Sequence, residues 1–121
     1  MAHKRRILII DDNEHIVAAL KSFLARKYEI FTACNGAEGL AAIDRAENGM
    51  DLVITDLVMP EVGGVEVIAT VKRKHPRTQV IAITGWGEHP DAMAAHAHAD
   101  RLLVKPFGLE SLDNCVNELL S

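Results

Sequence analysis

Five residues whose types could do chemistry stand directly after short apolar runs. Asp11 and Asp12 follow Ile7-Leu8-Ile9-Ile10. Asp56 follows Leu52-Val53-Ile54-Thr55, and Pro60, four residues on, stops any regular continuation. Thr84 follows the run from Gln79 to Ile83, and Lys105 follows Leu102-Leu103-Val104. Singly, each has a plainer explanation. An aspartate caps a helix or turn, a threonine suits a strand end, and a lysine is solvated. Those explanations leave one fact untouched, which is that all five sit just past a strand-like run.

If the strands are parallel, these ends share one rim, where open α/β sheets bind their ligands. Three carboxylates gathered there repel one another. At about 4 Å and an effective dielectric of about 20, each pair costs about 4 kcal/mol. A hard divalent cation relieves that repulsion, and Mg²⁺, which accepts few carboxylates and keeps several waters, fits best. Such an ion recruits phosphate oxygens. Lys105 can hold another as a point charge, and Thr84 can donate a hydrogen bond. A carboxylate nucleophile, a magnesium ion and a lysine suit phosphoryl transfer through an aspartyl phosphate.

The elements that position these residues alternate strictly. Leu52 to Thr55 is short, apolar and β-branched, as expected of a strand buried on both faces. Before it, a strand over Ile7 to Ile10 precedes a helix striped by Ile16, Ala19, Leu20, Phe23 and Leu24. A weaker strand from Tyr28 to Thr32 leads to Asn35-Gly36-Ala37-Glu38, which reads as a capping box. The helix it opens carries Leu40 and Ile43 inward and should stop at Asn48-Gly49. After Asp56, Gly63-Gly64 begins a helix with Val65, Ile68 and Val71 on one face, closed by Lys72-Arg73-Lys74-His75 and Pro76. Beyond the fourth strand lie a Gly85-Trp86-Gly87 loop and an alanine-rich helix from Pro90 to about Ala97, expected to dock loosely. Leu109, Leu112, Val116, Leu119 and Leu120 stripe a final helix. Five strand–helix units imply a parallel sheet with helices on both faces. Periodicity leaves the strand order open.

Bulk properties bound the function. The chain has 121 residues, enough for one domain with one real core. Its composition is that of a globular domain, and its net charge of −4 argues against binding phosphate backbones. Cys34 and Cys115 form no C-x-x-C and read as ordinary small side chains in a reducing compartment. No apolar run approaches a membrane-spanning length, and a cytoplasmic location is the expectation. The histidines read as surface residues: His96 and His98 do not share a helix face, and His89 and His96, which could, have no evident third ligand.

The segments Ile-Leu-Ile-Ile-Asp11-Asp12-Asn, Asp56-Leu-Val-Met-Pro60, Thr84-Gly85 and Val104-Lys105-Pro106-Phe107 together resemble the motifs of response-regulator receiver domains. The match is in order and spans essentially the whole chain, residues 1–121, as one receiver domain. The resemblance implies a single-domain flavodoxin-like (βα)5 fold with strand order 2-1-3-4-5. It implies that Asp56 is the phosphoacceptor, and that Asp11, Asp12, Asp56 and the backbone carbonyl of Val58 form the Mg²⁺ site. Thr84 and Lys105 resemble the switch hydroxyl and the phosphoryl-binding lysine, and the Lys105–Pro106 bond is expected to be cis. The implied partners are a sensor histidine kinase or histidine phosphotransfer domain and a downstream effector, met through the fourth helix, last strand and fifth helix. A phosphorylation-linked dimer is left open, whereas nucleic acid and membrane are not expected as direct partners. Such a domain catalyses its own phosphorylation and slow dephosphorylation without being a turnover enzyme. One departure stands out. The family usually carries Tyr or Phe three residues before the lysine, and here Leu102 stands there.

Two other classes compete. A haloacid-dehalogenase-like phosphatase also uses an aspartyl nucleophile, but it needs a second acid two residues later, where Val58 stands. A receiver-like module that binds a partner without being phosphorylated would be marked by a missing acid, threonine or lysine, and all are present.

Overall fold

A computed structural model describes residues 4–46, 49–85 and 90–121. The strands are β1 (Arg6–Ile10), β2 (Glu29–Ala33), β3 (Leu52–Asp56), β4 (Gln79–Thr84) and β5 (Arg101–Val104). Between and after them run α1 (Glu14–Leu24), α2 (Gly36–Arg45), α3 (Gly64–Lys74), α4 (Pro90–His98) and α5 (Leu109–Leu120). All pairings are parallel, in the order β2-β1-β3-β4-β5. This is the flavodoxin-like (βα)5 arrangement expected above.

Because side chains alternate across a strand, the sheet feeds two cores. Leu8, Val53, Val80 and Ala82 face α2, α3 and α4, and share a cluster with Ile43, Val67, Ile68, Val71, Ala92 and Ala95. Ile7, Ile9, Leu52, Ile54, Ile81 and Ile83 face α1 and α5, packing with Leu20, Leu24, Leu112 and Val116. Each large apolar side chain fully buried in this way contributes about 1.5–3 kcal/mol. β3 is buried along its whole length, as its β-branched run requires.

Several local expectations are corrected. α1 takes its cap from Asn13, whose side chain accepts from the N–H groups of His15 and Ile16, so neither Asp11 nor Asp12 caps it. Asn35 caps α2 by accepting from the Glu38 N–H at 2.7 Å, but the Glu38 carboxylate accepts from the Cys34 thiol instead of completing the box. Cys34 is thus an exposed polar contact, not a small apolar filler, and that hydrogen bond pushes its thiol pKa up. α2 ends at Arg45, short of the expected stop at Asn48-Gly49, of which Asn48 lies outside the described residues. Val67, which the stripe omitted, is fully buried with Ile68 and Val71 under α3, while Val65 packs partly buried against the same core. Ala19 and Leu109 are exposed, so their helices turn slightly away from the predicted stripes. α4 is not loosely docked. Ala92 and Ala95 are fully buried, and small side chains let this helix lie close on the sheet.

Candidate functional site

The registers bring the reactive strand ends together. Ile10 pairs with Thr55, so Asp11 and Asp56 leave neighbouring strands side by side. Asp56 pairs with Ile83 and Thr84 with Val104, which sets Thr84 and Lys105 on the next two strands. The Lys105 N–H donates to the Thr84 carbonyl at 2.6 Å, and the Lys105–Pro106 bond is cis.

Asp11, Asp12 and Asp56 each offer a carboxylate oxygen, and these atoms lie within 4.8 Å of one another. Asp11 and Asp56 are 2% and 7% exposed, whereas Asp12 faces solvent. The Lys105 ammonium bridges the two buried acids, 3.3 Å from Asp56 Oδ2 and 3.9 Å from Asp11 Oδ2. Asp56 Oδ1 accepts from the Val58 N–H at 3.3 Å, and Asp11 Oδ1 accepts from the Asn13 N–H at 2.9 Å. Asp11 Oδ2 is buried without a hydrogen-bond partner, its nearest charge the Lys105 ammonium at 3.9 Å. Burial, above all, raises the Asp11 pKa; repulsion from Asp56 and Asp12 adds to this, while the Asn13 N–H and Lys105 oppose it.

One ammonium among three carboxylates leaves the rim with excess negative charge. That arrangement could hold a hard divalent cation, and the unsatisfied Asp11 oxygen supplies a ligand atom for it. The three acids and Lys105 are therefore gathered at one rim, and the strand register sets Thr84 at the neighbouring strand end. Thr84 is buried. Val58 projects outward beside the cluster, 55% exposed. Trp86, in the loop expected after the fourth strand, lies outside the described residues.

Two supporting residues escaped the sequence reading. Asn13 orders the acid pair by capping α1 and donating its N–H to Asp11, a role hidden because its acidic neighbours are equally good caps. Gly64 packs against the Asp56 backbone so closely that an added Cβ would lie 2.6 Å from Leu57 Cα. The paired glycines 63 and 64 were the available signal, but they read only as a helix start.

A parallel five-stranded α/β module carrying acids and a lysine at its carboxyl rim is the class defined so far. A family model for the response regulator receiver domain matches residues 7–117, and the chain belongs to that family. It is 30% identical over 118 residues to the sensor kinase CckA of Brucella abortus, covering 94% of this chain and 12% of that protein. It is 34% identical over 123 residues to the transcriptional regulatory protein GlrR of Escherichia coli, covering 99% and 27%. The chain thus spans roughly an eighth and a quarter of those two curated relatives. Among solved structures, the response regulator TrrA of Thermotoga maritima, in complex with Mg²⁺-BeF, superposes with a TM-score of 0.85 at 35% identity. The match covers 96% of this chain and 99% of that one.

Proposed function

We propose that residues 1–121 act as one phosphoacceptor receiver domain, with Asp56 as the residue that takes the phosphoryl group. The observation that carries this reading is the Lys105 ammonium set between Asp56 and Asp11, with Asp12 completing the acid cluster. Asp11, Asp12, Asp56 and the Val58 backbone carbonyl are the proposed Mg²⁺ ligands. The ion, when bound, supplies Lewis-acid stabilisation of phosphoryl oxygens. The TrrA relative was solved with Mg²⁺-BeF, which supports the choice of metal.

An Asp56 carboxylate oxygen attacks the phosphorus of a phosphorylated histidine. The P–N bond breaks, its electron pair leaves with the imidazole, and an acyl phosphate remains. Lys105 holds one phosphoryl oxygen as a point charge, and the Thr84 hydroxyl donates to another. Burial of Asp56 excludes competing water from the acceptor.

The proposed donor is a sensor histidine kinase or histidine phosphotransfer domain. The proposed output face is α4, β5 and α5, where Met93, Val104 and Leu109 expose apolar surface. Leu102 packs partly buried beside the α4-facing core. With no aromatic ring to swing there, the response passes through the loop after Thr84 and through α4. A phosphorylation-linked dimer would use the same face. Among the described residues no helix is long and apolar enough to cross a membrane. We place the domain in the cytoplasm, where kinases and nucleotides are found.

Labelling by acetyl phosphate with Mg²⁺ tests the reading. The wild-type chain should take up one phosphoryl group and hold it, and Asp56→Ala should take up none. Continuous turnover would indicate a phosphatase, and absence of labelling would favour the unphosphorylated partner-binding module.

A further inference from the structure

The opposite edge of the sheet, where the strands begin, has the reverse charge character. Arg6 opens β1, Arg45 ends α2, and Lys74, His75 and Arg77 cluster where α3 gives way to β4. Two depressions open on this edge. One, of about 390 Å³, is lined by Arg6, Glu29, Phe31, Ala42 and Arg45. The other, of about 530 Å³, is lined by Asp51, His75, Pro76, Arg77 and Thr78. Ala46 and Met50 line both, so the two adjoin as one groove whose floor is apolar at Phe31, Ala46 and Met50 and polar on either side.

Basic residues at helix ends complement the helix dipole, and that alone accounts for some of this charge. It does not account for how the charge is partnered. Asp51 accepts from the Arg6 N–H and pairs with the Arg5 guanidinium, and Asp44 faces Lys74 and His75, which leaves Glu29 as the lining acid without a basic partner among the described residues. The side chains of Arg6, Arg45 and Arg77 have no acidic partner among the described residues. Their guanidiniums flank the groove at both ends, and planar forks of this kind suit carboxylates.

We infer that this groove docks a short acidic protein segment, with an apolar side chain on the Phe31–Met50 floor and carboxylates on Arg6, Arg45 and Arg77. The surface lies at the far edge of the sheet from Asp56. It can therefore tether a partner without obstructing the carboxylate cluster.

Fluorescence anisotropy of a short fluorescein-labelled peptide, glutamates around a central leucine, tests this with the full chain. Binding should weaken as salt rises. The double variant Arg45→Glu/Arg77→Glu should weaken it about tenfold, which two lost exposed ion pairs can supply. Lys21→Glu on α1 and Asp56→Asn should leave it unchanged. Retained acetyl phosphate labelling of the double variant shows that it is folded. No binding at low salt, or equal binding by the double variant, overturns the proposal. So does tighter binding of a DNA duplex than of the peptide. Self-association in sedimentation that the double variant abolishes would assign the groove to a second copy instead, and would also overturn it.

Discussion

Gly64 lies against the backbone carbonyl of Asp56, with no room between them for a side-chain carbon. The Gly64 N–H also donates to the Leu57 carbonyl at 3.0 Å, so the start of α3 is fastened to the strand end that carries Asp56. Gly64→Ala should force β3 and α3 apart, at a cost of about 1–3 kcal/mol. The urea midpoint should fall, and the rate of labelling with acetyl phosphate should fall with it. An unchanged midpoint and rate would show that the contact yields without consequence.

Asp100 anchors the far end of α4, part of the proposed output face. Its Oδ2 accepts from the Val80 N–H at 2.7 Å and from Lys72 Nζ at 3.0 Å, while Lys72 also donates to the Thr78 carbonyl. This ties the turn after α4 to α3 and β4, away from the site. Asp100→Ala leaves a backbone donor and an ammonium without their acceptor, costing about 1–2 kcal/mol for partly buried groups. Amide exchange across residues 90–98 should quicken while that in β1 and β3 stays slow. Equal acceleration everywhere would indicate global loss of stability rather than release of α4.

Much of this was legible in the sequence because strands and reactive groups share a simple pattern, an apolar run followed by a polar residue. Ile7–Ile10 with Asp11, and Leu52–Thr55 with Asp56, are of that kind. Helix faces were less legible. Val65 and Val67 both lie at spacings compatible with Ile68 and Val71 and both meet the core, and only the tertiary contact makes Val67 the fully buried one. α4 was misread because alanine contributes little to an apolar stripe, yet Ala92 and Ala95 dock by close approach. Asp100 carries no local sequence signal of its role. Its partners Lys72 and Val80 are distant in sequence, so no local pattern reveals them.

Stability should depend on Asp11 in a definite direction. Burial raises its folded-state pKa above the ordinary 3.8, so the folded chain binds this proton more tightly than the unfolded chain. Its contribution to stability therefore falls as pH rises from 3.8 through the raised value. Asp11→Asn removes that loss. At neutral pH without metal the variant should melt higher than wild type, and added Mg²⁺ should no longer raise its melting temperature. A variant that melts lower without metal would mean that the Lys105 contact outweighs desolvation and repulsion.

Val58 stands two residues after Asp56, the proposed acceptor, and exposes a branched aliphatic surface to solvent. It can exclude solvent but cannot orient a water molecule. Val58→Asn should speed loss of the phosphoryl group, up to about tenfold, which corresponds to about 1.4 kcal/mol off the barrier. Phosphate release after removal of the donor measures this, and an unchanged rate would show that Val58 does not shield the bond.

Site mapping of the phosphoryl group tests the central claim most directly. The chain is labelled with acetyl phosphate and Mg²⁺, the acyl phosphate is trapped by borohydride reduction, and the peptides are sequenced by mass spectrometry. The account predicts homoserine in place of Asp56, dependence on Mg²⁺, and a weaker yield in Lys105→Ala. Trapping at Asp11 or Asp12 with Asp56 unmodified, or labelling that persists in Asp56→Ala, would contradict it.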